Sequence, residues 1–548
     1  MCMTEVDLQV VMDSGIVQLT LSKPRGSITG VKHHGVGNVL EVKNREDGRR
    51  YWDVVWNRSD PDSGIFDIVH GTEFEVVQQD ANQVEVSSRT QWDPSHRGKL
   101  APLNIDKRFV MLRGGSGFYT YAIYEHLQGW PDFNLRETRV AFKLRKDKFH
   151  YMAIADNSQR IMPMPDDRRN VRSLKLGYPE AIRLTDPINA ALRREVIRVF
   201  QHLNLPKDSM VHGWISSDPP IGFWLITPSN EFKTGGPLKQ DLTSHVGPTA
   251  LAMFVSSHYS GVDTVPKFRN EEYWKKVFGP VFIYLNSASE KLDTKLLWED
   301  AQKQPYEFPA SEDFHRSEQR GSVSGRLLVL DKHISKEYIN GNAAFVGLAS
   351  PGEAGSWQRE SKGYQFWERA DVEGNFFIKN VRTGVYNLYA WVPGFIGDYR
   401  SSVNITITPG NHINLGSLVY NPPRDGPTLW EIGIPDRSAA EFFVPDPDPK
   451  YTNGLYVDHS DRKDGQGSHQ ATTWQIRFRL DSVHPNGTYK VRVALAAAHL
   501  SDLQVQFNNP RVQPADYKAN WERQLDRQTR NPWVVLVVQH RCGEQLAS

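Results

Sequence analysis

Arg139 and Lys143 stand four residues apart in Arg139-Val-Ala-Phe-Lys143. In an extended strand residues i, i+2 and i+4 share a face, so both cations point to one side. Two cations on one face suit a polyanionic ligand; the bland alternative is a solvated strand face. A second concentration of polar groups lies in residues 232–258. There a Gly-Gly-Pro turn carries Lys233, Lys239, Asp241 and His245, and an apolar run at 251–255 leads to Ser256-Ser-His258. An apolar strand with polar residues at its exit is how a rigid scaffold presents a catalytic group. A lone histidine at a strand end is nevertheless more often a surface or satisfied one. The charged groups around the turn are as readily solvated as engaged with a ligand. Trp214 and Trp224 could stack on a sugar ring, but core packing is the stronger reading for both.

The elements that must position these groups are strands. Val6-Asp-Leu-Gln-Val10, Ile16-Val-Gln-Leu-Thr-Leu21, Glu73-Phe-Glu-Val-Val77 and Gln83-Val-Glu-Val86 alternate apolar with polar. Gly114-Gly-Ser-Gly117 separates two further strands as a hairpin signal. The clearest helical candidate is residues 189–200. The pattern predicts an all-β sandwich over 1–317, closed by a polar linker at 302–320. Short strands with turns at Gly374 and Gly384 then predict a small sandwich similar to fibronectin type III over 318–420. A Pro/Gly hinge at 421–427 precedes a third unit, 425–548.

Bulk properties narrow the function classes. A chain of 548 residues predicts about three domains. A net charge of +1 argues against a nucleic-acid binder, which would carry a basic field. Cys2 and Cys542 sit near opposite ends, so neither a disulfide framework nor a cysteine metal site is expected. No run of about 18 apolar residues exists to span a membrane, and residues 1–7 lack the apolar core of a signal segment. Three glycosylation sequons, at Asn57, Asn404 and Asn486, lend secretion weak support. No zinc spacing, nucleophile elbow or phosphate loop is present. No cofactor is called for, although the acidic tract at 445–449 leaves a structural calcium open.

Longer motifs carry a resemblance. Thr138-Arg-Val-Ala-Phe-Lys143, Gly177-Tyr-Pro-Glu-Ala181, Val211-His-Gly-Trp214 and Val265-Pro-Lys-Phe-Arg-Asn270 are four of them. Gly279-Pro-Val-Phe-Ile-Tyr-Leu-Asn286, Gly384-Val-Tyr-Asn-Leu-Tyr-Ala-Trp391 and Leu429-Trp-Glu-Ile-Gly433 extend the match along most of the chain. Together with residues 232–258 they resemble the plant-type rhamnogalacturonan lyases of polysaccharide lyase family 4. The resemblance implies an extracellular cell-wall enzyme that cleaves the rhamnogalacturonan I backbone of pectin by β-elimination; a monomer is expected. It also implies a jelly-roll, carbohydrate-binding-like third module. That module departs from the family after residue 508 and is expected to lack closing strands, with the run at 534–538 loosely paired or stray.

The implied chemistry removes the C5 proton of a galacturonate. It needs a cation on the carboxylate, a base for the proton and support for the leaving oxygen. By the resemblance His258 is the catalytic histidine and Arg139 and Lys143 hold the substrate; Lys233 and Lys239, flanking the Gly-Gly-Pro turn, could contact a uronate or simply be solvated. Two tyrosines that precede the histidine in fungal members are replaced by Leu251 and Met253. The family's catalytic lysine position is occupied by Val199, with Arg198 beside it as a poor base. Three readings stay open: an active lyase, a relative that binds pectin without cleaving it, and an error in the deduced sequence near Val199 and after residue 507.

Overall fold

The computed structural model describes residues 2–58, 64–175, 182–197, 210–238, 242–256, 264–288, 293–304, 311 and 314–431, with short stretches between 480 and 541. The protein is all-β. Nine antiparallel strands form the larger sheet, from Ser158–Ile161 at one edge through Val211–Ser217, Trp274–Ser287 and Gly117–His126 to Glu73–Gln79 at the other. The facing sheet holds Ser244–His245, Thr249–Ser256, Phe133–Lys143, Arg50–Asn57 and Ile65–Ile68, and Lys267–Phe268 pairs with the start of Phe133–Lys143. Trp52, Val54, Trp56, Val140, Phe142 and Phe254 from this sheet share one core with Phe118, Trp214, Phe223, Phe278 and Ile283 from the larger one. Trp214 and Trp224 are packing residues, 1% and 0% exposed.

The central strands of the larger sheet are buried on both faces. The sheet's outer side packs Ile215, Trp224, Phe282 and Tyr284 against the helix Thr294–Gln302. Asp293 caps that helix by accepting from the Leu296 N–H at 2.9 Å, and Leu297, Trp298 and Ala301 form its buried stripe. Sequence patterning had favoured residues 189–200 as the helix instead. In the structure Asn189 caps only a single turn, Ala190–Leu192. The β-branched pair Val196–Ile197 then joins a ladder with Ile182–Leu184. The expected strand at 6–10 is likewise a hairpin: Val6 pairs with Gln9, and Leu8 lies 72% exposed at the turn between them.

Residues 321–420 form two four-stranded sheets around a separate core of Val323, Leu327, Val346, Leu388 and Ile405. Gly374, at φ +86°, is required there, because a Cβ would fall 2.3 Å from the Leu327 carbonyl oxygen. Farther on, Thr488–Leu495 pairs with Val534–Arg541 along its whole length, so the run at 534–538 is not stray. Its valines suit a ladder. The acidic tract at 445–449 lies outside the described residues. Asn57 is 1% exposed and accepts from Asn134 at 2.9 Å, so its sequon is closed to modification in the folded protein.

A buried ionic seam ties residues 321–420 to the first sandwich. The Glu231 carboxylate accepts from Arg320 Nη1 at 2.6 Å and from Arg382 Nε at 2.6 Å, and all three side chains are almost wholly buried. Burial works to raise the Glu231 pKa, but Arg382 and Arg320 more than offset it and hold it below the usual carboxylate value. Trp274 Nε1 donates to the Lys362 carbonyl at 2.9 Å across the same seam. Gly236, at φ +80°, lies against Trp357, where a Cβ would meet the indole at 2.1 Å. Glu231→Ala strands two buried guanidinium groups and is expected to lower stability by about 3–5 kcal/mol, read from the urea midpoint. The contribution is present above the unfolded glutamate pKa and disappears as pH falls through the lower folded value. A loss below about 1 kcal/mol would place the seam among weak surface pairs.

Candidate functional site

Strand Phe133–Lys143 runs through the middle of the smaller sheet, bonded to Arg50–Asn57 on one side and Thr249–Ser256 on the other. Val140 and Phe142 enter the sandwich core, so Arg139, Ala141 and Lys143 take the outer face. Register decides their neighbours. Arg139 lies opposite Asp53 and Met253, and Ala141 opposite Tyr51 and Leu251. Lys143 lies opposite Thr249, which is itself paired with His245. Directly paired residues share a face. Tyr51, Asp53, Arg139, Lys143 and His245 therefore form one polar array, with Ala141, Leu251, Met253 and Leu242 packed together beside it. His245 and Lys143 sit two strand spacings apart, about 10 Å.

The array is partly desolvated. Arg139 Nε donates to Asp53 Oδ2 at 2.9 Å, and its Nη1 lies 2.8 Å from Glu137 Oε1. Asp53 is fully buried and the Arg139 side chain is 14% exposed. Burial pushes the Asp53 carboxyl up to about 7 against the pull of Arg139. Burial also opposes the Arg139 charge, but Asp53, Glu137 and Tyr51 together outweigh it, and the guanidinium pKa is raised. Burial raises the Tyr51 hydroxyl, which is hydrogen-bonded to Arg139. The Lys143 ammonium sits 5.7 Å from the centre of the Tyr51 ring. Burial first, then Arg139, depress the Lys143 pKa. A lysine so placed releases its proton closer to neutrality than a solvated one.

Arg139 and Lys143 thus share a face, as their spacing predicts. Arg139 already has two carboxylate partners, which the sequence reading did not supply. Asp53 and Tyr51 were the missed residues. Their signal was present in Tyr51-Trp-Asp-Val-Val-Trp56, where Trp52, Val54 and Trp56 define the buried face and leave Tyr51 and Asp53 on the other. Lys233 begins the turn that docks on Trp357. Its charge acts on His212, whose ring Nε2 lies 2.6 Å from the Leu251 carbonyl oxygen. Burial first pushes His212 down to about 4, and Lys233 adds to that, so the ring is neutral and Nε2 is the donor. His258, Lys239 and Val199 lie outside the described residues. Among the described residues, no group of three or more His, Cys, Asp or Glu is placed to hold a metal ion.

Three consecutive family models match the chain. They are the rhamnogalacturonate lyase family over residues 2–196, domain II of polysaccharide lyase family 4 over 341–415, and domain III over 428–539. The chain belongs to the rhamnogalacturonate lyase family. A rhamnogalacturonate lyase of Dickeya dadantii is 24% identical over 451 residues, covering 80% of this chain and 71% of that protein. Rhamnogalacturonate lyase B of Emericella nidulans is 24% identical over 361 residues, 61% of this chain and 51% of its own. The chain thus spans about half the length of that fungal relative. A galactose mutarotase related enzyme from Lactobacillus acidophilus aligns with 52% of this chain and 99% of its own, at 11% identity and a TM-score of 0.30.

One consequence of Asp53 is measurable in this family member. Folded Asp53 keeps its proton up to about pH 7, whereas an unfolded aspartate releases it near 3.8. Between those values the folded state binds more protons, so this group makes stability fall as pH rises. Asp53→Asn removes the titration. The stability of the variant relative to wild type should therefore increase from pH 4 to pH 7. Parallel denaturation midpoints across that window would show that Asp53 ionises normally.

Proposed function

We propose that the protein is a rhamnogalacturonan endolyase acting on the pectin backbone outside the cell. It would cleave the rhamnose-(1→4)-galacturonate bond by β-elimination and leave an unsaturated galacturonate end. The observation that carries the reading is the outer-face array of Arg139, Tyr51 and Lys143 in a chain of this family. Elimination needs the uronate carboxylate neutralised so that the neighbouring C5 proton becomes acidic. Lys143 has no carboxylate partner among the described residues and is the cation best able to meet that carboxylate. With valine at position 199, its depressed pKa also makes it a candidate to accept the C5 proton, alongside His258. Arg139, held by Asp53 and Glu137, would fix the Tyr51 hydroxyl and the near edge of the sugar.

A second reading, a pectin-binding relative that has lost cleavage, is favoured by two observations. One is Val199; the other is that Arg139 already bonds to the acid side chains of Asp53 and Glu137. Incubation with rhamnogalacturonan decides between them through ultraviolet absorbance of the unsaturated uronate. The lyase reading expects a steady rise, abolished by His258→Ala and lowered about a hundredfold or more in kcat/KM by Lys143→Ala. Arg139→Ala should weaken binding, and more so at high salt. No rise with folded wild-type protein, while the polysaccharide still retards it in affinity electrophoresis, would establish the second reading.

A further inference from the structure

A separate cavity opens at the end of the first sandwich, about 720 Å³ in volume. Four chain segments build it. Trp56 and Arg58 come from the end of strand Arg50–Asn57, and Trp92, Arg97 and Gly98 from the loop before Asn104–Leu112. Asp132 precedes Phe133–Lys143, and Asn270 with Glu271 follows Lys267–Phe268. Asp132 is seven residues along the strand from Arg139, about 23 Å at the usual rise, so the cavity is remote from the array described above.

Its construction is specific. Trp56 and Trp92 are 1% and 7% exposed, and both line the space. Neither indole N–H has an acceptor among the described residues. A buried donor without a partner costs free energy that an incoming acceptor recovers. Trp92 is held against Trp130 with ring centres 4.8 Å apart, and its backbone N–H donates to Asn104 Oδ1 at 3.0 Å. Gly98, at φ +78°, gives Arg58 its place, since a Cβ there would fall 1.7 Å from the guanidinium. Asn270 and Glu271 both have left-handed backbone, φ 57° and 54°, which non-glycine residues seldom adopt away from functional or strained turns. No ion pair joins Arg58 or Arg97 to Asp132 or Glu271 among the described residues, so all four charged groups keep hydrogen-bonding capacity for something else.

We propose that this cavity binds a neutral sugar unit, one or two rings in size. The lining selects that class. A pyranose offers an apolar C–H face to Leu100, Pro102, Pro131 and the exposed edge of Trp92, and a rim of hydroxyls that both donate and accept. Here the donors are Arg58, Arg97 and the two indoles, the acceptors are Asp132 and Glu271, and Asn270 supplies both. A uronate or phosphate would meet two carboxylates as well as two guanidinium groups, which removes the advantage of its charge. The volume lies within the range of small-ligand sites. The inference goes beyond the lyase reading and does not need it: the cavity would tether a neutral sugar of a glycan while another part of the same chain occupies the sheet face.

The test is saturation-transfer NMR on the full chain with lactose, methyl galactoside and methyl rhamnoside, and with digalacturonate as the charged control. At least one neutral glycoside should bind saturably and independently of salt. Its affinity should drop about tenfold in Asp132→Asn and in Gly98→Ala, which pushes Arg58 aside at an exposed turn and should leave folding intact. Trp92→Ala, checked for folding by circular dichroism, should remove binding. The proposal is overturned by absence of saturable binding to every neutral glycoside. It is equally overturned by affinities unchanged in Asp132→Asn and Gly98→Ala, or by salt-sensitive preference for digalacturonate. Because the readout is binding, a protein inactive on rhamnogalacturonan leaves this outcome intact.

Discussion

Strand Phe133–Lys143 is hydrogen-bonded along both edges, and its two faces serve opposite ends. Val140 and Phe142 are fully withdrawn from water in the sandwich core. A shift of one residue would expose both and bury Arg139 and Lys143 in their place, exchanging apolar burial for two desolvated cations. Register is therefore fixed by the core, and the array on the outer face inherits it. Asp53 meets Arg139, and Tyr51 meets Lys143, because Trp52, Val54 and Trp56 on the neighbouring strand are anchored the same way. The chemistry of the face follows from packing on its reverse.

The second anchor is the seam at Glu231. It fixes the segment that carries Lys233 and the Gly-Gly-Pro turn, where Gly236 packs against Trp357. Leu238 continues the contact by packing with Phe345, Trp357 and Trp391. A turn rich in lysine reads from sequence as a substrate loop. Gly236 there answers to the close approach of an indole from a chain segment more than a hundred residues away, and no local pattern announces that.

The legible parts of the fold were those governed by period-two alternation. The strands at Glu73–Gln79 and Gln83–Thr90, and the turns at Gly374 and Gly384, lie where alternation and turn residues put them. Misreadings came where a local signal lost to a tertiary one. Residues 189–200 have an apolar spacing compatible with a helix, yet Val196–Ile197 gains more from pairing with Ile182–Leu184. The real helix, Thr294–Gln302, is short and sits at the edge of a polar stretch, but Asp293 as cap and the Leu297, Trp298, Ala301 spacing were there to be read. At the array, spacing gave the shared face of Arg139 and Lys143. It could not give the acids beside Arg139, because Asp53 is a neighbour only through cross-strand register.

Those acids alter what each cation can do. Arg139, Asp53 and Glu137 form a nearly self-contained group whose charges answer one another inside a partly desolvated site. A uronate arriving there competes with carboxylates already in place. Four residues along the strand the Lys143 ammonium lies over the face of Tyr51, and repulsion from Arg139 adds to the cost of its charge. The face is thus polarised along the strand, with compensated charge toward Glu137 and uncompensated positive charge toward Lys143 and the row shared with Thr249 and His245. A galacturonate bound under the proposed reading would have its carboxylate drawn to the Lys143 end. That would place the acidic C5 proton near the one described lysine of the array, and its charge is weakened by the same burial that strengthens its contact with an anion. Under that reading Arg139 would act by holding Tyr51 in position, and Lys143 would carry the electrostatic attraction.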